Sequence, residues 1–184
     1  FYNNIFIQKP VRVGMEEIRK LTGDNEWDDG NLTAGTVPYS GYPTLEEYVA
    51  RFEGYCGMGS GKSPDLYYEK LPGWLGGNVY FNGAKPAEQE QDAVVDTEHE
   101  ITIGVKEENG KWKLETNVYD YLPQNACAVI STETLGMAFE PEQKYENPDG
   151  TPIVFRYDYF GNRQGIHPLP GPFASKEAAE EALS

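Results

Sequence analysis

Basic residues, cysteine and histidine are all scarce in this sequence, and each shortage excludes a class of function. The 184 residues contain 15 Lys and Arg against 30 Asp and Glu, which gives a formal net charge of −15. Nucleic acid and anionic membranes are therefore not expected as partners, because both bind a basic face. Two cysteines, Cys56 and Cys127, do not make a disulfide framework, and two histidines add too few ligands for a zinc site. Whether the cysteines pair stays open.

Long apolar runs and a leader pattern are also missing. No stretch of about 18 apolar residues is present, so no membrane span is predicted. The chain opens on FYNNIFI without a Met or a charged-then-apolar leader. We therefore expect a cytoplasmic or cell-associated location, although a signal peptide further upstream would not be visible. The 24 aromatic residues (13 Tyr, 8 Phe and 3 Trp) argue against disorder, and the length predicts one domain.

Short β-rich segments between glycines and prolines predict a mainly β fold. The predicted strands cover residues 1–7, 78–82, 93–95, 101–106, 129–131 and 153–157. A hairpin is predicted over residues 106–115, with its turn at Asn109-Gly110 and with Trp112 and Leu114 on one face. Asn3 and Asn4 lie inside the first strand, and asparagines in strands are typical of amide ladders in stacked coils.

Helices are predicted to be few and short. Residues 44–52 have Thr44 as N-cap and Glu47 three positions later, which is a capping-box pattern. Further short helices are predicted at Met15–Leu21 and at the Ser-capped tail, residues 175–184. Residues 8–43 otherwise form a long loop, and loops of that length are usually functional or disordered.

Aromatic and acidic residues in this long loop make it a candidate carbohydrate site. Sugar rings stack on aromatic faces, while their hydroxyl groups hydrogen-bond to carboxylates. The candidate residues are Trp27, Asp28, Asp29, Tyr39 and Tyr42. The alternative is a solvated acidic loop that Trp27 pins to the body of the protein.

Other motifs do not meet the requirements of their chemistry. DNEWDDG (24–30) departs from a calcium loop in its glycine position and lacks a following bidentate Glu. GSGKS (59–63) is followed by Pro64 and preceded by a predicted helix, unlike a phosphate-binding loop. His99 between two Glu residues is expected to be solvated. No metal or cofactor is predicted, and the 30 acidic residues offer too many pairs to select catalytic carboxylates.

Five segments, in this order along the chain, resemble the C-terminal part of β-xylosidases of glycoside hydrolase family 120. They are FYNNIFI (1–7), TLEEYV (44–49), NVYFNGAKPAEQEQDAVV (78–95), YENPDGTPI (145–153) and DYFGNRQGIHPLPGPF (158–173). The resemblance covers most of the chain except residues 8–43, where this sequence is longer. It implies the last coils of a right-handed parallel β-helix, with C-terminal strands and one or two short helices.

The resemblance also implies a function. Residues 1–184 would be a single C-terminal segment of a retaining exo-glycosidase that acts on xylo-oligosaccharides. The family's nucleophilic Asp and acid/base Glu lie upstream of the FYNNIFI strand, so no catalytic residue is assigned here and the segment alone is expected to be inactive. Expected partners are a small carbohydrate and the upstream part of the enzyme, while homo-oligomerisation stays open. The alternative is a non-catalytic carbohydrate-binding or structural β domain.

Overall fold

The computed structural model describes residues 1–8, 41–51, 70–138 and 141–183. The strands are β1 (Ile5–Ile7), β2 (Val79–Phe81), β3 (Val94–Val95), β4 (Ile103–Glu108), β5 (Lys111–Thr116), β6 (Met137–Ala138), β7 (Gln143–Lys144) and β8 (Ala182–Leu183). The helices are α1 (Leu45–Ala50), α2 (Thr132–Leu135), α3 (Lys176–Glu180) and a 3₁₀ turn (Val118–Asp120). The described residues thus form a mostly β structure of small sheets with a few short helices. The predicted Met15–Leu21 helix lies outside them.

Strands β1, β2 and β3 form a parallel sheet in that order. Ile5 pairs with Val79, and Val79 pairs in turn with Val94, so aliphatic residues stack on one another across the three strands. Strands β1 and β2 are separated by about 70 residues of sequence, and parallel pairing always requires such a crossover. The predicted strands at the start of the chain, at 78–82 and at 93–95 are confirmed, with shorter bounds.

An asparagine ladder joins the first two strands just before they pair. The Asn4 amide nitrogen and its backbone N–H both donate to Asn78 Oδ1, at 2.9 and 2.8 Å. Asn78 is fully buried. This stacking of like amides confirms the ladder expected from the sequence. Asn3 does not take part, because its φ of 57° turns it out of the strand and its side chain donates to the Ala128 carbonyl.

The core lies under the middle strand of the parallel sheet. Val79, Tyr80 and Phe81 are each 0% exposed, since β2 has a strand on both sides. Val79 and Phe81 pack with the buried residues Ile101, Val118 and Leu122. Asn82, at the end of β2, takes φ 56° and both donates to and accepts from the backbone of Ile101, which ties the sheet to the following segment.

Strands β4 and β5 form the predicted hairpin. Their register is antiparallel, with Val105 opposite Leu114, and β8 adds to the outer edge of β5. Asn109 and Gly110 both have positive φ, 56° and 76°. Two successive positive φ values make the primed type of turn whose twist matches the strands. The hairpin prediction is therefore confirmed at its turn.

Helix α1 begins where the capping box predicts. Thr44 Oγ1 accepts from the Glu47 N–H, and Glu47 Oε2 accepts from the Thr44 N–H. The tail helix is confirmed with Ser175 as its N-cap, but it ends at Glu180 rather than continuing to residue 184. Residues 182–183 instead pair with β5 as β8.

The strands predicted at 129–131 and 153–157 are reduced to isolated bridges, one between Ser131 and Val154 and one between Tyr157 and Arg163. Ser131 caps α2, so the chain leaves the extended conformation at once. The Thr132 hydroxyl then bonds to both neighbours, donating to the Tyr145 carbonyl and accepting from the Ile153 N–H. In the described parts of the chain, no helix is long and apolar enough to cross a membrane.

Candidate functional site

Of the five candidate sugar-binding residues, the structure describes one. Trp27, Asp28, Asp29 and Tyr39 lie outside the described residues, so their role stays a prediction. Tyr42 lies two residues before the N-cap of α1. It is therefore the starting point for a site built from the described part of the chain.

The position of Tyr42 is fixed by several contacts. Gln89 Nε2 donates to its carbonyl oxygen at 2.9 Å. Its ring meets Phe1 edge-on, with centroids 6.3 Å apart, and Lys70 Nζ lies 5.5 Å from the ring centroid. A Cβ atom on Gly73 would lie only 3.0 Å from Tyr42 Cβ, so a larger residue at position 73 would crowd Tyr42. The ring remains partly open to solvent.

Two depressions lie beside helix α1. The larger, of about 990 Å³, is lined by Tyr42 with Glu47, Arg51 and Glu88. The smaller, of about 340 Å³, is lined by Trp74 with polar residues that include Gln91 and Asp92. Thr44 and Gln89 line both depressions, so the two are neighbours. We call this region the Tyr42–Trp74 surface.

Trp74 is the residue that sequence reasoning missed. It is 46% exposed and lines the smaller depression together with amide and carboxylate side chains. That combination suits a sugar ring, whose apolar face stacks on aromatics and whose hydroxyls hydrogen-bond around them. A signal was present in LPGWLGG (71–77), where small residues flank a large aromatic ring.

Glu90 is held by two fully buried residues, Asn78 just before β2 and Tyr80 within β2. Asn78 Nδ2 donates to Glu90 Oε1 at 2.6 Å, and the Tyr80 hydroxyl donates to Glu90 Oε2. Both carboxylate oxygens are thus engaged. Glu90 therefore satisfies the buried polar groups of the sheet, which is a structural rather than a catalytic arrangement.

His99 is paired and stacked rather than simply solvated. Its Nδ1 lies 2.8 Å from Asp96 Oδ2, and its ring stacks on Tyr121 with centroids 4.1 Å apart. The hydrogen bond with His99 is the main cause that holds the pKa of Asp96 below its ordinary value. No hydroxyl or thiol among the described residues bonds to His99, so these residues form no serine–histidine–aspartate arrangement.

Asp158 organises the loop that leads to the end of the chain. Its Oδ1 accepts from the N–H groups of Phe160 and Asn162, and its Oδ2 accepts from the Ala174 N–H and the Asn162 amide. Burial opposes ionisation, but these four donors outweigh it and the pKa of Asp158 is lowered. The aspartate therefore joins residues 158–162 to the segment before α3.

Cys127 is a buried free thiol that donates to the Gly77 carbonyl at 3.3 Å. Burial raises its pKa to about 11, so little thiolate forms at neutral pH. In the described ranges, no cluster of three or more His, Cys, Asp or Glu side chains could hold a metal ion.

This mostly β chain, with its parallel stack and its aromatic, polar surface, is similar to part of a solved structure. No protein-family profile and no curated protein sequence matches it. Among solved structures, the complex of XylC with xylose is similar, with a TM-score of 0.56 and 25% sequence identity. The match covers 77% of this chain and 22% of the XylC chain. The chain thus spans about a fifth of the solved chain that it matches.

Proposed function

We propose that this chain is the C-terminal portion of a retaining exo-glycosidase of the β-xylosidase type, and that its parallel strands β1, β2 and β3 belong to the last coils of a right-handed parallel β-helix. The observation that carries the proposal is the structural similarity to part of XylC, a protein solved with xylose. The in-register parallel stack β1–β2–β3 supports it, because stacked coils pair their strands in this way. The resemblance of five sequence segments to family 120 points the same way.

The chemistry of such an enzyme needs two carboxylates. One protonates the leaving oxygen, and the other attacks the sugar carbon and forms a covalent glycosyl–enzyme that water then hydrolyses. The best-bonded described acids, Glu90, Asp96 and Asp158, are each engaged in structural hydrogen bonds. Because the resemblance to family 120 implies that both acids lie upstream of residue 1, we assign both catalytic roles to another part of the same polypeptide, and to this chain the role of supporting those coils.

The Tyr42–Trp74 surface is proposed to contact the substrate. Trp74 is 46% exposed, and Gln89, Gln91 and Asp92, which line the same depression, offer hydrogen-bonding groups. Trp27, Asp28, Asp29 and Tyr39 are retained in the same proposal on their sequence pattern. This surface is also the observation that favours the second candidate function, a non-catalytic carbohydrate-binding domain.

Hydrolysis of a chromogenic β-xyloside separates the two functions. The whole gene product is expected to release the chromophore, while residues 1–184 alone are expected to be inactive. Activity of residues 1–184 alone would contradict the assignment of the catalytic acids, and an inactive gene product that binds xylose would favour the binding domain.

Two tryptophan variants test the contact with sugar. Trp74→Ala is expected to raise KM roughly eightfold with kcat nearly unchanged, since covering about 50 Å² of ring at roughly 25 cal/mol per Å² contributes about 1.2 kcal/mol. Trp27→Ala is expected to raise KM as well. Trp112→Ala is the matched control, because Trp112 is 50% exposed on the hairpin, away from the surface. An unchanged KM in Trp74→Ala would remove that residue from the site.

A further inference from the structure

The sequence contains two Asn-Gly pairs, Asn82-Gly83 and Asn109-Gly110. The two asparagines have the same left-handed backbone conformation, with a φ of 56° in each. Glycine has no Cβ, so its backbone nitrogen can come close to the side-chain amide carbon of the asparagine before it. The asparagine of such a pair can therefore react with the main chain, and the contacts of its side chain decide whether it does.

Asn82 is locked by its side chain. Its Nδ2 donates to the Ile101 carbonyl at 2.7 Å, and its Oδ1 accepts from the Ile101 N–H at 2.8 Å. The residue is half-buried, and Ile101 is buried. Because a turn of the amide carbon towards Gly83 would break both bonds, the contact that ties the parallel sheet to the following segment also protects Asn82.

Asn109 has no such contacts. It lies at the exposed tip of the β4–β5 hairpin, and in the described structure no hydrogen bond involves its side chain or the Gly110 N–H. No atom beyond the chain neighbours lies within 4 Å of the place that a Cβ on Gly110 would take. The ladder ends at the pair of Glu108 with Lys111, so the Gly110 nitrogen lies outside it. Both reacting groups are therefore uncommitted.

Little resists a rotation of this turn about Asn109. The nearest ion pair joins Lys113 Nζ to Glu108 Oε2 at 2.6 Å, and both side chains are more than 40% exposed. Exposed ion pairs of this kind contribute little to stability. Hairpin tips open locally because few buried contacts hold them. The Gly110 nitrogen can therefore reach the Asn109 amide carbon without unfolding of the rest of the sheet.

We propose that Asn109 is a site of covalent self-modification, at which its side-chain amide is lost. The Gly110 nitrogen attacks Asn109 Cγ and forms a new C–N bond, while the bond from Cγ to Nδ2 breaks and ammonia leaves with the proton from the Gly110 nitrogen. Water then opens the cyclic succinimide at either of its carbonyl carbons. The products are aspartate, or isoaspartate, in which the main chain runs through Cβ. Water is the only co-reactant.

The two products have different effects on the hairpin. Aspartate tolerates the positive φ that this turn requires, so the hairpin keeps its register. Isoaspartate lengthens the main chain within a loop of two residues, and the pairing of Glu108 with Lys111 is then lost. Either product adds a negative charge beside Glu108, in a chain whose net charge is already −15. Conversion to isoaspartate is therefore expected to open the tip of the hairpin.

Ageing of the whole gene product in mildly alkaline buffer, followed by site-resolved peptide mass spectrometry, tests the proposal. Asn109 is expected to be converted at least about tenfold faster than Asn82, because two hydrogen bonds lower the population of released Asn82 by about that factor. In concentrated urea, which removes the protection of Asn82, the two rates should become nearly equal. No conversion of Asn109, equal rates in the native protein, or a rate ratio that persists in urea would overturn the proposal.

Asn109→Gly tests the effect on the hairpin, since Gly-Gly suits the same turn but has no side-chain amide. Amide hydrogen exchange of residues 106–113 is expected to speed up about tenfold on ageing of the wild type and to stay constant in the variant. Asn125→Gly is the matched control, because Asn125 is also exposed, with a φ of 62°, but precedes Ala126. This control should age like the wild type. Loss of protection in aged Asn109→Gly, or unchanged protection in converted wild type, would contradict the expected opening.

Discussion

Replacing Asn78 by leucine is expected to destabilise the parallel stack strongly. The Asn78 side chain is fully buried and makes four hydrogen bonds. It accepts two from Asn4, and it donates to the Phe1 carbonyl at 3.1 Å and to Glu90 at 2.6 Å. Leucine has a similar volume but can make none of these bonds, so each partner is left without its contact.

The size of the effect follows from the bonds lost. Three bonds between neutral groups contribute about 1 kcal/mol each, and the bond to a carboxylate contributes about 1.5–3 kcal/mol. Burial of the leucine methyl groups offsets part of this loss, by roughly 1–2 kcal/mol. The free energy of unfolding should therefore fall by about 3–5 kcal/mol, a large share of the 5–15 kcal/mol typical of a domain.

Urea unfolding followed by tryptophan fluorescence measures this change, with Asn147→Leu as the matched control. Asn147 is exposed and makes only local bonds to Thr151 and Pro152, so its variant should lose less than about 1 kcal/mol. If Asn78→Leu does not fold, Asn4→Ala keeps the backbone bond to Asn78 but removes the two bonds that Asn4 Nδ2 donates, to Asn78 Oδ1 and to the Tyr2 carbonyl, and should lose about 2 kcal/mol. Equal midpoints for the Asn78 and Asn147 variants would refute the amide ladder as a source of stability.

Three other perturbations have defined outcomes. Asp158→Asn keeps one acceptor oxygen for four donors, so the free energy of unfolding should fall by roughly 2–4 kcal/mol at pH 7. Because the pKa of Asp158 is lowered, this difference from the wild type should vanish as the pH falls from 3.8 through that lowered pKa. A difference that does not change with pH in urea melts would contradict this prediction. Gly110→Ala should cost about 1 kcal/mol, since φ is 76° and no atom crowds the site; a stabilised thermal melt would contradict the turn. Cys127 should react with a disulfide reagent only as fast as the protein opens, because burial raises its pKa to about 11; rapid labelling of the native protein at pH 8 would contradict its burial.

Local features of the fold could be predicted from the sequence. The Asn109-Gly110 turn and the Thr44–Glu47 capping box depend on a few neighbouring residues, and both occur where expected. The ladder of Asn4 on Asn78 was also predictable in kind, because buried amides in strands require amide partners.

Features that depend on distant contacts could not be predicted. Residues 153–157 do not form a full strand, because their partner segment ends at Thr132, which begins a helical turn. The Thr132 hydroxyl accepts from the Ile153 N–H. The exposure of Trp74 depended on how the chain packs around Gly73 and Tyr42, which are separated by 31 positions in the sequence. A groove that runs along β1 is formed by segments from both ends of the chain, so no local pattern signals it.

Proton NMR of xylotriose incubated with the whole gene product tests the proposed activity most directly. A retaining exo-glycosidase releases xylose from the chain end, and the β-anomer of that xylose is seen before mutarotation produces the α-anomer. We expect β-xylose and xylobiose as the first products. Initial α-xylose, cleavage at an internal bond, or no xylose at all would contradict the account.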